Sequence, residues 1–234
     1  MFNKHPKGLI AAALANLGER FGFYTMMAIL VLFLQAKFGM NGKEAGFIYS
    51  TFYFSIYILA LVGGIIADKT RNYKGTIFTG IVLMAVGYLL LAIPSKTPVD
   101  NKMLYLVITC ASLFVIAFGN GLFKGNLQAL VGQMYDNPQY ANMRDSGFSL
   151  FYMFINIGAI FAPFAAVGVR NWWLSTFGYN YDADLPALCH GQLAGTLSPE
   201  ATETYHTLVT KASTAPVQDY TAFASDYLNV LTTG

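Results

Sequence analysis

Long runs of apolar residues, separated by short polar links, dominate the first 170 residues of the chain. Five such runs can be delimited, at about 8–36, 44–67, 75–93, 103–133 and 146–169. An α-helix needs about 20 such residues to cross the hydrocarbon core of a bilayer. Because the links between the runs are short, neighbouring helices are expected to run antiparallel. The pattern predicts an all-α membrane protein with five transmembrane helices.

The pattern changes after residue 169. Residues 170–234 are mostly polar, and their charges are predominantly acidic. Ser198-Pro199-Glu200 is a typical helix start, with a capping side chain, a proline at the first position and an acid near the positive end of the helix dipole. We therefore predict helices near 199–212 and 219–231. The predicted division is a five-helix bundle over 1–169 and an acidic, mostly helical extracytoplasmic segment over 170–234, which is either a solvated insertion or a docking surface.

Composition and charge agree with a membrane location. The chain is 55% hydrophobic and 11% charged, whereas soluble domains have about 25% charged residues. A net charge of +2 gives no reason to expect nucleic acid as a partner. Lysine and arginine are slightly more concentrated on the side of the N-terminus and of the loop Lys69–Lys74, so both are predicted to be cytoplasmic. Trp172 and Trp173 stand where membrane-interface anchors are expected.

Charged and amide side chains interrupt the apolar runs near their middles. Glu19 and Arg20 lie in the first run, Lys124 in the fourth and Asn156 in the fifth. A charge at that depth costs several kcal/mol, so it marks either a locking ion pair or an ion or substrate site. Tyr57 in the second run falls at a similar depth. A common depth in four helices favours a central polar cavity over separate structural pairs.

Helical spacing places these residues on defined faces. Asn16, Arg20 and Tyr24 form one stripe, and another consists of Asn120, Lys124 and Gln128. A buried ammonium needs a partner, and Glu19 is the expected partner of Lys124. Glu19, Arg20 and Lys124 together leave about one net positive charge, which would attract a carboxylate. If the substrate carboxylate took the cation away from Glu19, protonation of Glu19 would be favoured, which couples binding to a proton.

Four segments carry motifs, namely Glu19–Tyr24 (ERFGFY), Gly63–Lys69 (GGIIADK), Gly119–Asn126 (GNGLFKGN) and Phe148–Gly158 (FSLFYMFINIG). In order and topology they resemble the signatures of the proton-coupled oligopeptide transporter family, within the major facilitator superfamily. They correspond to its first-helix signature, its loop motif between helices two and three, its fourth-helix lysine motif and its fifth-helix signature. The resemblance covers about residues 8–168.

The resemblance implies the N-terminal part of a major facilitator fold. It also implies proton-driven uptake of di- and tripeptides across the inner (cytoplasmic) membrane by alternating access. The proton-linked switch would be formed by Glu19, Arg20 and Lys124. The expected substrate contacts are Arg20, Tyr24, Tyr57, Lys124 and Asn156. The loop residues expected to steady the conformational states are Gly64, Asp68 and Lys69.

The chain departs from the family pattern at three positions. Asn16 replaces the first glutamate of the signature, so coupling is expected to be altered or to rest on Glu19 alone. Met27 stands near the place of a second arginine, and Gly125 replaces the proline that follows the lysine. Because the family fold has two six-helix bundles, the chain is expected to be incomplete and not to transport by itself.

Two other functions remain open. One is a carrier of the same superfamily for another small anion or a drug. The other is a non-transporting membrane subunit whose acidic tail binds a partner. An enzyme is not expected, because the sequence contains no metal-ligand cluster, HExxH motif, phosphate-binding loop or nucleophile elbow. Accordingly, no metal or cofactor is predicted; the partners predicted are peptide, protons and the lipid bilayer.

Overall fold

A computed structural model describes residues 5–233 and is nearly all helical. Its helices are α1 Lys7–Phe38, α2 Gly42–Thr70, α3 Tyr73–Leu91, α4 Lys102–Met134, α5 Arg144–Thr176, α6 Leu185–Ala194, α7 Pro199–Ala212 and α8 Tyr220–Thr233. A short 3₁₀ turn, Ala141–Met143, leads directly into α5. Five helices, α1 to α5, are long and apolar enough to cross a membrane. The five predicted spans are therefore confirmed as helices.

The fifth helix extends further than predicted. It continues to Thr176, two turns past the expected end at 169, so Trp172 and Trp173 lie within α5. Trp172 is exposed, while the Trp173 indole Nε1–H donates to the carbonyl of Val230 in α8 at 2.9 Å. Trp173 thus joins the end of α5 to the last helix of the chain.

The polar segment contains three helices, of which two were predicted. The α7 boundaries agree with the prediction, and the Ser198 side chain accepts a hydrogen bond from the Ala201 amide at 3.2 Å. The remaining helix, α6, was missed because Pro186 and Gly191 punctuate it, and such residues usually indicate loops. A proline is tolerated there because it lies in the first helical turn, where its missing N–H has no helical partner.

The chain divides into two compact units. One comprises Met1–Met27, Ser50–Leu91 and Ile108–Phe164, and the other comprises Ala28–Tyr49, Ala92–Val107 and Ala165–Gly234. The helices α1, α2, α4 and α5 each contribute to both units. The predicted division at residue 169 stays a prediction.

Close backbone approach to α4 organises the first unit. A Cβ added at Gly121 would lie 2.6 Å from the carbonyl carbon of Leu59 in α2. One added at Gly119 would lie 2.6 Å from the carbonyl oxygen of Gly80 in α3. Small residues allow membrane helices to approach in this way. Behind these contacts lies a core drawn from α1, α3, α4 and α5, with Phe123 fully buried at its centre.

Aromatic side chains build the core of the second unit. Its buried cluster includes Tyr205 of α7, Tyr227 of α8 and Cys189 of α6, packed with Ala36 of α1 and Leu174 of α5. Burial raises the pKa of the Cys189 thiol to about 12, so the thiol stays protonated and acts as a small apolar group. Hydrophobic packing thus attaches the α6–α8 segment to the adjoining ends of α1 and α5.

Candidate functional site

Glu19 and Arg20 form a buried ion pair in the first unit. Arg20 Nε donates to Glu19 Oε2 at 2.5 Å, and Arg20 Nη2 donates to Glu19 Oε1 at 2.6 Å. Only 7% of the Glu19 side chain and 5% of the Arg20 side chain are exposed. Adjacent residues on one helix seldom face each other, so the two side chains bend towards one another to make this two-bond pair.

Asn120 of α4 completes the surroundings of the carboxylate. Its Nδ2–H donates to Glu19 Oε1 at 2.6 Å, and the residue is fully buried. Among residues 5–233, the other amide atom, Asn120 Oδ1, is buried without a hydrogen-bond partner, as is the hydroxyl of Tyr88 in α3. Tyr88 lies within electrostatic range of Glu19 and Arg20. The ion pair therefore stands among uncharged polar groups from two further helices.

Aromatic rings cover the Arg20 guanidinium. Its central carbon lies 4.8 Å from the centre of the Phe23 ring and 5.8 Å from that of Tyr24. Phe23 in turn packs against Phe52 of α2. Cations are attracted to ring faces at these distances. Tyr24, predicted to contact substrate, thus lies beside Arg20 as the four-residue spacing indicated.

Lys124 does not pair with Glu19 in this conformation, so that expectation was wrong. Its Nζ lies 5.6 Å from the centre of the Tyr57 ring on α2. Within residues 5–233 the ion pairs are Glu19–Arg20 and Asp136–Arg144. The Glu19 oxygens are already occupied by Arg20 and by the amide one helical turn before Lys124, which explains the difference.

The charge balance of the site follows from these contacts. Glu19 and Arg20 neutralise each other, which leaves the half-buried Lys124 ammonium without an acidic partner in the described part of the chain. Tyr57 is exposed and its hydroxyl donates to that of Tyr53 at 3.1 Å. The arrangement combines the Lys124 cation with neighbouring tyrosine rings of α2, which suits the carboxylate of a ligand.

Asn156 is not brought into contact with these groups. It is exposed on α5, and its side chain forms no hydrogen bond in the region the structure describes. Two residues further on, a Cβ at Gly158 would lie 2.7 Å from the carbonyl oxygen of Leu17, so α5 approaches α1 closely there. This contact fixes the face of α5 on which Asn156 lies.

The predicted conformational loop contains one firm contact. Asp68 accepts a hydrogen bond from the Tyr73 hydroxyl at 2.5 Å across the turn between α2 and α3. Lys69 is exposed, and Gly64 has no atom within 4 Å of an added Cβ. Beside this glycine, the Asn126 amide donates to the carbonyl of Gly63 at 3.1 Å, linking α4 to the end of α2.

Sequence reasoning gave no role to Asn120 or Tyr88. Asn120 shares the predicted stripe with Lys124, which was the available signal, but an amide in an apolar helix usually indicates packing. Tyr88 gave no signal, because tyrosines are common in membrane helices. Only the packing of helices brings Asn120 into contact with Glu19.

The family model and the relatives that match this chain agree with one another. A family model described as PTR2, POT family, matches residues 74–189. The chain is 34% identical over 185 residues to the peptide transporter YePEPT of Yersinia enterocolitica, covering 77% of this chain and 34% of that protein. It is 34% identical over 179 residues to the dipeptide and tripeptide permease A of Enterobacter sp.. That match covers 76% of this chain and 32% of that protein. The chain thus spans about a third of the length of these curated relatives.

A solved structure resembles the fold. A crystal structure of a mutant of the peptide transporter POT, in complex with sulfate, has a TM-score of 0.63 and 27% sequence identity. The match covers 90% of this chain and 45% of that chain. The likeness extends over almost all of the described helices and supports the predicted all-α membrane fold.

Proposed function

The chain belongs to the POT family, a family of multi-pass membrane transporters rather than of enzymes, and we propose that it serves proton-coupled uptake of di- and tripeptides by alternating access. The proposed location is the inner (cytoplasmic) membrane, with the N-terminus in the cytoplasm. The peptide and protons are the transported species, and the lipid bilayer surrounds the apolar helices.

The observation that carries the proposal is the unmatched Lys124 cation among helices that can cross a membrane. Its contact is an aromatic ring, whereas the Glu19 carboxylate is taken up by Arg20 and Asn120. An ammonium in such surroundings is costly unless an anion joins it. The peptide's terminal carboxylate is the proposed anion.

The remaining residues of the predicted site have the following proposed roles. Arg20 shares the peptide carboxylate with Lys124, and Tyr24, Tyr57 and Asn156 line the pocket. When Arg20 turns to the substrate, Glu19 loses its cation and accepts a proton, so binding and protonation are linked. Because Asn16 is an amide, Glu19 is the one carboxyl group proposed for this role in the signature.

The proposed conformational element is the turn between α2 and α3. Gly64, Asp68 and Lys69 steady one conformation through contacts such as the Asp68–Tyr73 hydrogen bond. These residues do not touch substrate in this proposal. Their replacement should change transport rate more than peptide affinity.

The decisive experiment measures dipeptide uptake driven by an imposed pH gradient, in liposomes containing the protein with whatever sequence flanks residues 1–234 in the cell. Lys124→Ala should abolish uptake, whereas Lys211→Ala, an exposed lysine of α7, should leave it intact. Uptake that is absent from the unaltered protein, or that is indifferent to Lys124, contradicts the proposal.

An anion or drug carrier is the second candidate, because an unmatched cation would accept other anions. Competition separates the two functions. Unlabelled dipeptides should block uptake of a labelled dipeptide, while single amino acids should not. Inhibition by simple organic anions, without inhibition by dipeptides, favours the second candidate.

A further inference from the structure

We propose that the Asn120 amide, assisted by the Tyr88 hydroxyl, positions the Glu19 carboxyl and is its hydrogen-bond partner both when the carboxyl is ionised and when it carries a proton. This inference rests on the proposed function and adds two residues to its proton-linked switch. Asn120 and Tyr88 are positioning residues, since they act through Glu19 and do not touch the peptide.

The ionised state is the one seen in the structure. Both Glu19 oxygens accept hydrogen bonds from Arg20, and Oε1 accepts a third from Asn120 Nδ2. Every contact to the carboxyl is thus a donor. An ionised carboxylate is an acceptor only, so this set of partners matches it fully.

The protonated state requires a different partner. A neutral carboxyl carries one O–H that must donate, and a guanidinium has no acceptor to offer. The described surroundings contain two acceptors without a partner, Asn120 Oδ1 and the Tyr88 hydroxyl oxygen, and both are buried. Buried polar atoms without a partner are few in native proteins, so Asn120 Oδ1, on an amide bonded to Glu19, and the Tyr88 hydroxyl of α3 call for an explanation. We assign them to the protonated state.

The amide can exchange its two ends by rotation of the Asn120 side chain. A proton arriving from water bonds to Glu19 Oε1, and the new O–H donates to Asn120 Oδ1 after the rotation. The displaced Nδ2 group moves to the place that Oδ1 occupies in the ionised state, away from Met84 Sδ, which lies 4.0 Å from Nδ2 in that state. The hydronium ion that brings the proton loses one O–H bond and leaves as water, so one covalent bond breaks for the one that forms, and the hydrogen bonds from Asn120 Nδ2 and Arg20 Nη2 to Oε1 are given up. Arg20, released from one acceptor, is then available to the peptide carboxylate.

The titratable and charged groups around Glu19 come from three helices. Arg20 is on α1 and is itself influenced by Tyr24. Tyr88 approaches from α3. On α4, Lys124 lies one helical turn beyond Asn120 and contacts a tyrosine of α2 instead. The amide is therefore the group in direct contact with the carboxyl that can both donate and accept.

The test compares two transport modes in liposomes. One is dipeptide accumulation driven by a pH gradient, and the other is exchange of labelled for unlabelled dipeptide at equal pH, which needs no net proton movement. Asn120→Leu should lower the ratio of driven uptake to exchange by about tenfold or more, because protonated Glu19 then lacks its acceptor. Tyr88→Phe should lower the same ratio by less.

Two controls separate positioning from structure. Asn126→Leu removes another buried amide of α4, one that donates to the carbonyls of Gly63 and Leu122, so it should lower both modes together. In Asn120→Thr and Asn120→Val the new side chains have the same shape, but threonine has a hydroxyl that can donate and accept. The ratio of driven uptake to exchange should therefore be higher in Asn120→Thr than in Asn120→Val. An unchanged ratio in Asn120→Leu, or equal behaviour of Thr and Val, overturns the inference.

Infrared spectroscopy tests the inference without transport. At low pH the protonated Glu19 carboxyl, identified by the loss of its band in Glu19→Gln, should absorb at higher frequency in Asn120→Leu than in the unaltered protein. A band that does not move overturns the inference, whatever the transport result. Absent transport together with a shifted band would instead contradict the proposed function alone.

Discussion

The helices of the first unit and the α6–α8 segment of the second are held together by different interactions. In the first unit, glycines bring α2 and α3 against α4, and the buried ion pair lies near polar atoms that have no partner in the part of the chain that the structure describes. In the α6–α8 segment, tyrosine hydroxyls donate to backbone carbonyls. Tyr205 donates to Tyr220 at 2.6 Å and Tyr227 to Asn180 at 3.3 Å.

The difference indicates where the molecule is expected to change state. In the α6–α8 segment, called the tail below, these tyrosine hydroxyls all have carbonyl partners in the observed structure. Such bonds favour a single structure. Near the ion pair, buried acceptors have no partner among the described residues, so a second arrangement of hydrogen bonds is available. We therefore expect function to reside in the first unit and the tail to be structural.

The largest expected effect comes from breaking the ion pair. Arg20→Leu leaves the Glu19 charge buried and unpaired, which should cost about 3–5 kcal/mol of unfolding free energy. The double variant Glu19→Gln with Arg20→Leu should recover most of this loss, because neither charge remains. Thermal unfolding in detergent measures both. A double variant no more stable than Arg20→Leu would show that the guanidinium acts through its ring contacts rather than through the carboxylate.

A smaller loss should follow from filling the space between α2 and α4. Gly121→Ala places a methyl group 2.6 Å from the carbonyl carbon of Leu59 and should cost about 1–3 kcal/mol. Gly125→Ala, one turn later on α4, has no atom within 4 Å of the new methyl group. It should be neutral or stabilising by up to about 1 kcal/mol, since alanine favours a helix. Equal melting temperatures for the two variants would contradict the close approach.

In the tail, removing one hydroxyl should have a local effect. Tyr205→Phe leaves the Tyr220 carbonyl without its donor and should lower the free energy of local opening by about 1 kcal/mol. Hydrogen exchange of α7 and α8 measures that opening. The matched control is Tyr181→Phe, which keeps the ring stacked on Arg170, 3.5 Å from the guanidinium carbon. A comparable change in both variants would show that the effect does not depend on the hydrogen bond from Tyr205 to the Tyr220 carbonyl.

The smallest expected effect is a pH dependence of the tail. His190 donates from Nε2 to the carbonyl of Ala36 at 2.7 Å. Burial, and to a lesser extent the Lys102 charge, lower the pKa of His190 from its ordinary value of 6.5. The neutral form is thus favoured in the folded tail, and the unfolded tail binds more protons once the pH falls below about 6.5. The stability contributed by neutral His190 is therefore full above about pH 6.5 and declines as the pH falls below it.

Hydrogen exchange of α6 at several pH values between about 7.5 and 5 tests this dependence. In the unaltered protein the free energy of opening should decrease as the pH is lowered. His190→Gln should remove this dependence on pH. Lys102→Met should weaken it, because one of the causes of the lowered pKa is gone. A slope that survives His190→Gln would place the titrating group elsewhere.

Most helices could be predicted from the sequence, although α5 ends two turns beyond its predicted end. Length and apolar composition sufficed for α1 to α5, because a membrane-spanning helix satisfies its own backbone. The cap at Ser198 fixed the start of α7 for a local reason, a side chain bonding to the amide three residues on. By contrast, α6 was missed because Pro186 and Gly191 indicate a loop locally, while the packing of Leu185 and Cys189 against other helices became visible only in the tertiary structure.

The sequence by itself determined which residues are polar at mid-membrane depth and which share a helical face. It could not determine their partners. Whether Glu19 bonds to Lys124 or to Asn120 depends on the rotation of α4 about its axis, which is set by the close contacts of its glycines with α2 and α3. Helical spacing orders residues along one helix, while partners across helices are set by packing, and only the tertiary structure decided them.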